Sequence, residues 1–266
     1  MPADAARGAR AARLPRGQRA VAPRVTISEE DGVRYLHFGS EWVQGAMRIA
    51  RPFALELQYQ RQMMAPLVFL PAPRRIVQLG LGAGALAKYC WRELPAAMVT
   101  AVEISPEVVA TAHQWFKVPV DERLEIVVED AREFITHPRR RRSADWLQVD
   151  LYDAAARGPV HSDDAFYLAC RAALRPPGIA VFNLFGRRLD EDFTPLARAF
   201  EDRVIVLPEA DAGNRVVLGF VGPALEVSFA GLFERAREIE RVFGLPARKW
   251  IAGIRAENGE SARLHV

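Results

Sequence analysis

Two cysteines, Cys90 and Cys170, are all that the 266 residues contain. They lie far apart and in no metal-ligand spacing, which excludes a zinc-ribbon or disulfide-framework protein. Each falls in a helical pattern, so both read as buried free thiols. Apolar runs are short: none approaches the roughly 18 residues of a membrane span. The basic start of the chain lacks the continuous apolar region of a signal peptide, so the expected location is the cytoplasm and no membrane partner is expected. No internal repeat occurs. A basic run, Arg139 to Arg142, follows His137-Pro138 without interleaved aromatics. It reads as a solvated loop, and nucleic acid is not an expected partner.

The net charge of +3 is unevenly placed. Residues 1–24 carry six arginines and one aspartate, a net of +5, which leaves the rest of the chain at −2. An Ala/Arg/Pro/Gly segment of this kind cannot bury a core and is expected to be a disordered tail. The chain as a whole is 50% hydrophobic, enough for one large domain or for one domain plus a small appendage. Residues 25–57 alternate in short pieces, VTI, RYLHF and VQGAMRI, separated by glycines, and predict a small antiparallel β unit. Residues 55–69 predict a helix stopped near Pro71 and Pro73.

Residues 58–266 then form the predicted catalytic unit. Strands are expected near 75–80, 98–104, 124–129, 145–151 and 178–184. Helices are expected near 83–94, 106–117, 131–137, 163–175 and 190–203. This alternation implies a parallel sheet covered by helices on both faces. VIVLP (204–208) and RVVLGFVG (215–222) are too close for a helical crossover and predict an antiparallel hairpin. Residues 229–244 predict an amphipathic helix, with a short polar tail after it.

The stretch IVQLGLGAGALAKYC (76–90) is a strand, a glycine turn and a helix. Gly80, Gly82 and Gly84 fit a dinucleotide fingerprint and the turn of S-adenosylmethionine enzymes equally well. In both, glycines let the backbone approach the ligand beside a helix N-terminus. Glu103, ending the next strand, can accept both ribose hydroxyls in either. Three features favour the adenosylmethionine type. Glu129-Asp130 ends the third strand, where such enzymes place an acid against the adenine amine. The hairpin at 204–222 matches a reversed last strand. The segment 174–184, LRPPGIAVFNL, matches the helix-turn-strand before it. The expected fold is therefore α/β, the Rossmann-like fold of adenosylmethionine-dependent methyltransferases, with a mostly parallel sheet and an antiparallel last strand.

The fourth strand ends in Gln148-Val149-Asp150-Leu151-Tyr152-Asp153, and no N/D-P-P-Y/F motif of amino-methylating enzymes stands there. Two carboxylates at the mouth of the pocket suit a cationic amine. Alkyl amines have a pKa of about 10.4, are protonated at neutral pH, and need a base before they attack.

From Gly39 to Gly222 the chain resembles the polyamine aminopropyltransferases, spermidine synthase and its relatives. The resemblance rests on Gln44, on Tyr59-Gln60, on Val102-Glu103-Ile104-Ser105 after the glycine turn and on Glu129-Asp130-Ala131. It continues in Asp150 to Asp153 before Gly158-Pro159, and in Phe166-Tyr167 through Arg175-Pro176-Pro177-Gly178. It implies that decarboxylated S-adenosylmethionine lies on the glycine turn, bound through Gln44, Gly80, Gly82, Gly84, Glu103, Asp130 and Ala131. A diamine would sit by Tyr59, Gln60 and Asp153. Asp150 would position or deprotonate its attacking nitrogen, with methylthioadenosine leaving. No metal is implied. A homodimer is, with LVFLPAP (67–73) and the apolar face of 229–244 as candidate surfaces.

The chain also departs from the family. The aspartate expected at position 83, which would contact the aminopropyl ammonium, is Ala83. The loop 208–214 lacks the usual pocket aromatics. His161-Ser162-Asp163-Asp164 comes after the gate segment, with the two aspartates reading as a helix cap and His161 as a loop histidine. An S-adenosylmethionine-dependent methyltransferase, or a non-catalytic nucleoside-binding protein, are therefore the alternatives.

Overall fold

The computed structural model describes residues 25–152, 159–185, 189–210, 213–257 and 261–266. The expected tail, 1–24, and Asp153 lie outside the described residues. Three strands, β1 (Val25–Glu30), β2 (Val33–Phe38) and β3 (Gly45–Arg48), form an antiparallel meander. A short helix, α1 (Gln58–Gln62), and a 3-10 turn (Ala65–Val68) lead to the main sheet. This replaces the single helix expected over 55–69. Pro66 has no N–H to continue an α-helical ladder, so the chain tightens there.

The main unit then runs β4 (Arg75–Leu79), α2 (Ala85–Glu93), β5 (Met98–Glu103), α3 (Pro106–Phe116), β6 (Leu124–Val128), α4 (Ala131–Thr136), β7 (Ala144–Val149), α5 (Asp164–Ala173), β8 (Leu174–Phe185), α6 (Leu189–Ala199), β9 (Val204–Val206) and β10 (Asn214–Val221). The sheet order is β6-β5-β4-β7-β8-β10-β9. Every neighbouring pair from β6 to β8 is parallel, and β10 runs antiparallel to both β8 and β9. The expected hairpin and reversed strand are both present. β8 starts earlier than expected because Pro176 forces the residue before it out of helical conformation, which ends α5 at Ala173.

Alternate residues of β4 serve opposite faces. Ile76 joins a core with α2 and the C-terminal helices, and Val77 joins a core with α4, α5 and α6. Cys90 and Cys170 lie one in each core, both free and fully buried, and burial pushes the Cys90 thiol up to about 12. A third, small cluster of Leu36, Met47, Ala83 and Phe116 seats the meander on the glycine turn and α3.

After β10 the chain forms β11 (Glu226–Ser228), α7 (Phe229–Phe243), α8 (Ala247–Glu257) and β12 (Arg263–His265), with β11 and β12 paired. Ser228 caps α7 by accepting the Gly231 amide at 3.1 Å. Phe229, Leu232, Ala236 and Ile239 give it one buried face. The polar tail expected here is instead a second helix, whose Ala247, Trp250, Ile251 and Ile254 are buried. Leu67 and Val68 are also buried, and the buried face of α7 shares their core with α8. Of the stretch 67–73, Phe69 and Leu70 are half-buried and Pro71 and Ala72 are exposed. Among the described residues no helix is long and apolar enough to cross a membrane.

Lys88 on α2 is 1% exposed, with its ammonium donating to the Phe116 carbonyl at 2.7 Å. Burial lowers its pKa to about 7 from 10.5. Between those values the unfolded chain holds a proton that the folded chain sheds, so this group makes stability rise with pH across that window. Lys88→Met should remove the rise. The stability difference, wild type minus variant, should grow by about 3 kcal/mol from pH 7 to 9.5, at about 1.4 kcal/mol per unit. Denaturant titrations at the two pH values check this, and a constant difference would refute it.

Candidate active site

β4 lies between β5 and β7, so successive connections leave it in opposite directions and open a crevice at the strands' carboxyl ends. The glycine turn occupies that crevice. The Gly80 amide donates to the Val102 carbonyl at 2.9 Å, and the Asp150 amide donates to the Leu79 carbonyl at 3.0 Å. Gly80 has φ +90°, and a Cβ there would stand 2.2 Å from the Asp150 carbonyl oxygen. Only glycine allows the two strand ends to approach this closely.

The crevice is a cavity of about 1100 Å³. Of the residues singled out from sequence, Gln44, Tyr59, Gln60, Gly80, Gly82, Glu103, Asp130, Ala131 and Asp150 all line it. Gly84 is not among the lining residues. It is the N-cap of α2, and its Cα faces Val118. Asp153, expected to hold the diamine, lies outside the described residues.

Glu103 ends β5 and is 9% exposed. Its Oε2 accepts the Leu81 amide at 3.2 Å, and its Oε1 accepts the Ser105 amide at 3.0 Å. Asp130 caps α4, with Oδ1 accepting the amides of Arg132 at 2.8 Å and Glu133 at 3.1 Å. Asp163 caps α5 as expected, accepting the Phe166 amide at 3.0 Å. Asp150 retains some accessible surface and is otherwise enclosed by protein. Asn183, at the end of β8, donates to its Oδ1 at 3.0 Å, and the Tyr59 hydroxyl donates to Oδ2 at 3.3 Å. Desolvation raises the Asp150 carboxyl above the usual range, and the two donors oppose the rise.

Sequence reasoning missed Asn183, Tyr152 and Phe185. Tyr152 donates to the Asn183 carbonyl at 2.9 Å and meets Phe185 edge-on, with ring centroids 6.3 Å apart. These two rings line the cavity and supply the aromatic wall that loop 208–214 lacks. Asn183 sits inside LRPPGIAVFNL, a segment informative in sequence only for its shape, although a polar residue ending a buried strand was the available signal.

The lining has one electrostatic sign. Glu41, Glu103, Asp130 and Asp150 line the cavity, and no lysine or arginine does so among the described residues. Gln60, Gln78 and Asn183 also line it, each with a buried amide oxygen that has no hydrogen-bond partner among the described residues. This is an acceptor-rich site suited to a cation that brings its own N–H donors. No group of three or more His, Cys, Asp or Glu side chains arranged to hold a metal occurs among the described residues.

No protein-family model matches the chain. The chain is 35% identical over 245 residues to the polyamine aminopropyltransferase of Neisseria meningitidis serogroup B, covering 91% of this chain and 92% of that protein. It is 24% identical over 198 residues to the human eEF1A lysine and N-terminal methyltransferase, covering 70% of this chain and 28% of that protein. In structure it is similar to a probable spermidine synthase from Corynebacterium glutamicum, with a TM-score of 0.69 and 21% identity, covering 87% of this chain and 91% of the other.

Proposed function

The chain belongs to the polyamine aminopropyltransferase family of transferases, and on that premise we propose that it moves the aminopropyl group of decarboxylated S-adenosylmethionine to a diamine or polyamine nitrogen. The acceptor nitrogen forms a bond to the methylene beside the sulfonium. The carbon–sulfur bond breaks, its electron pair stays on sulfur, and neutral methylthioadenosine leaves. The acceptor loses one proton.

One observation carries this reading: the cavity presents four carboxylates and, among the described residues, no lysine or arginine. Both reactants are cations. Ordinary adenosylmethionine keeps a carboxylate that would meet this lining unfavourably. In the proposal Glu103 takes the ribose, Asp130 and Ala131 take the adenine, and Gly80 and Gly82 let the backbone close on the ligand beside Gln44. Tyr59 and Gln60 border the amine. Asp150 takes the proton of the attacking nitrogen, and its raised pKa makes it a better base than a solvated carboxylate. Asp153 and a homodimeric state belong to the proposal through family resemblance.

A second reading, methyl transfer from adenosylmethionine, is favoured by Ala83. Its Cβ lies where a Cβ on Gly45 would come within 2.5 Å, so position 83 carries a small apolar contact to the meander rather than a charge for an ammonium. Calorimetric titration of the purified protein with each nucleoside separates the two. Tighter binding of the decarboxylated form is expected. Preference for adenosylmethionine would move the assignment to methyl transfer, and binding of neither would remove the nucleoside reading.

A further inference from the structure

His161 follows Gly158-Pro159 in the chain, and nothing in the proposed reaction uses it. It lines the cavity together with Asp130. The Val160 amide donates to the Leu151 carbonyl at 3.2 Å, which ties this segment to the end of β7. The imidazole packs on Phe166, with ring centroids 5.1 Å apart. Its Nδ1 faces the Arg132 guanidinium, 3.4 Å from both Nε and Nη2. Arg132 is held in turn by an ion pair with Asp163 and lies over the Phe166 ring at 5.6 Å.

A guanidinium only donates, so the nitrogen facing it must be an acceptor. The His161 proton therefore sits on Nε2, which has no hydrogen-bond partner among the described residues. Burial and the neighbouring Arg132 charge both lower the pKa of His161, against weaker pulls from Asp130 and Asp163, so the neutral form prevails. Arg132 thus fixes one tautomer of a cavity-lining histidine and leaves it an N–H to donate.

Adenine supplies a match. Its N6 amine is a donor beside the acceptor N1, and the Asp130 carboxylate lines the cavity where it can take N6. The acceptor on the other side of N6 is N7, and it requires a donor. Among the described residues lining the cavity, His161 is the one histidine and stands beside the α4 start. We propose that His161 donates Nε2–H to N7 of the bound adenine and makes the site selective for an intact purine. The inference rests on the nucleoside reading of the cavity, and not on which group is transferred.

The test is a cycle of titrations with methylthioadenosine and its 7-deaza analogue, in which carbon replaces N7. Wild type should bind the analogue roughly 5–10-fold more weakly, the worth of one hydrogen bond. His161→Ala should lose about the same factor for methylthioadenosine and show no further preference between the two. His161→Gln, which keeps an N–H on a shorter plane, should restore part of the preference. Equal binding of the two by wild type, or the same discrimination in wild type and His161→Ala, overturns the proposal. Repeating the cycle with S-adenosylhomocysteine and its 7-deaza form keeps this outcome apart from the reaction type: a protein that binds only the homocysteine pair and still discriminates through His161 refutes aminopropyl transfer and supports the purine contact.

Discussion

Asp150→Asn is expected to lower turnover by about 10²–10⁴-fold while leaving nucleoside affinity within a few-fold of wild type. The amide keeps the shape: its one oxygen accepts from Asn183, and its NH2 group faces the Tyr59 hydroxyl, which can rotate to accept. It removes the capacity to take a proton. The same change should not destabilise the fold. Because burial raises the Asp150 pKa, ionising this group costs folding free energy: its contribution is full below the unfolded carboxylate pKa and declines as pH rises through the folded value. At neutral pH the asparagine variant should therefore unfold at the same temperature as wild type or higher. Activity behaves oppositely, since only the ionised form is a base, and the acidic limb of the rate profile should lie above the range of a free carboxylate. Initial rates of methylthioadenosine release from about pH 5 to 9, alongside thermal melts, check all three statements. A variant with wild-type turnover would remove Asp150 from the chemistry.

Gly80→Ala should have the largest effect on stability. The added methyl meets a backbone oxygen, that of Asp150, at 2.2 Å, where no side chain can rotate aside. The residue also sits at φ +90°, which strains any side chain. Relief requires the ends of β4 and β7 to part, which loosens the Asp150 amide from the Leu79 carbonyl. A loss of about 3 kcal/mol or more is expected, lowering the melting temperature by roughly 6–12 °C in a chain of this size. Nucleoside binding should fall with it, because the same movement shifts Asp150. Gly32→Ala makes the comparison: that glycine has positive φ with nothing within 4 Å of a Cβ, so only the conformational cost remains. Equal melting shifts for the two variants would show that contact with Asp150 is unimportant.

The sheet was legible because its central strands β4, β5, β7 and β8 are mostly apolar and helices alternate with them. Glu103, Asp130 and Asp150 were legible because they end consecutive strands of one parallel sheet, which places them at one edge. Other features were hidden by long-range effects. α8 has the spacing Ala247, Trp250, Ile251, Ile254, yet the charged residues around it made the segment read as a tail. The break in the 55–69 helix turned on a single proline whose neighbours are all apolar. Asn183 reaches Asp150 across paired strands, and that contact depends on the register of β7 against β8, which places Val149 opposite Phe182. No local pattern encodes that register. The wall formed by Tyr152 and Phe185 depends on the same pairing.

The place of β10 in the sheet has a consequence for the order in which the protein can be finished. β10 inserts between β8 and β9, although it is the last of the three to be synthesised. Until residues 214–221 leave the ribosome, β8 presents a long open edge of unpaired backbone groups, and that edge ends in Asn183 and Phe185. A nascent chain shorter than this has the glycine turn and Asp150 but lacks the strand that holds one side of the pocket. Competence to bind should therefore arrive abruptly, with a segment that contributes little to the cavity wall, and a ribosome stalled just before Asn214 would carry an enzyme prone to pair with its neighbours.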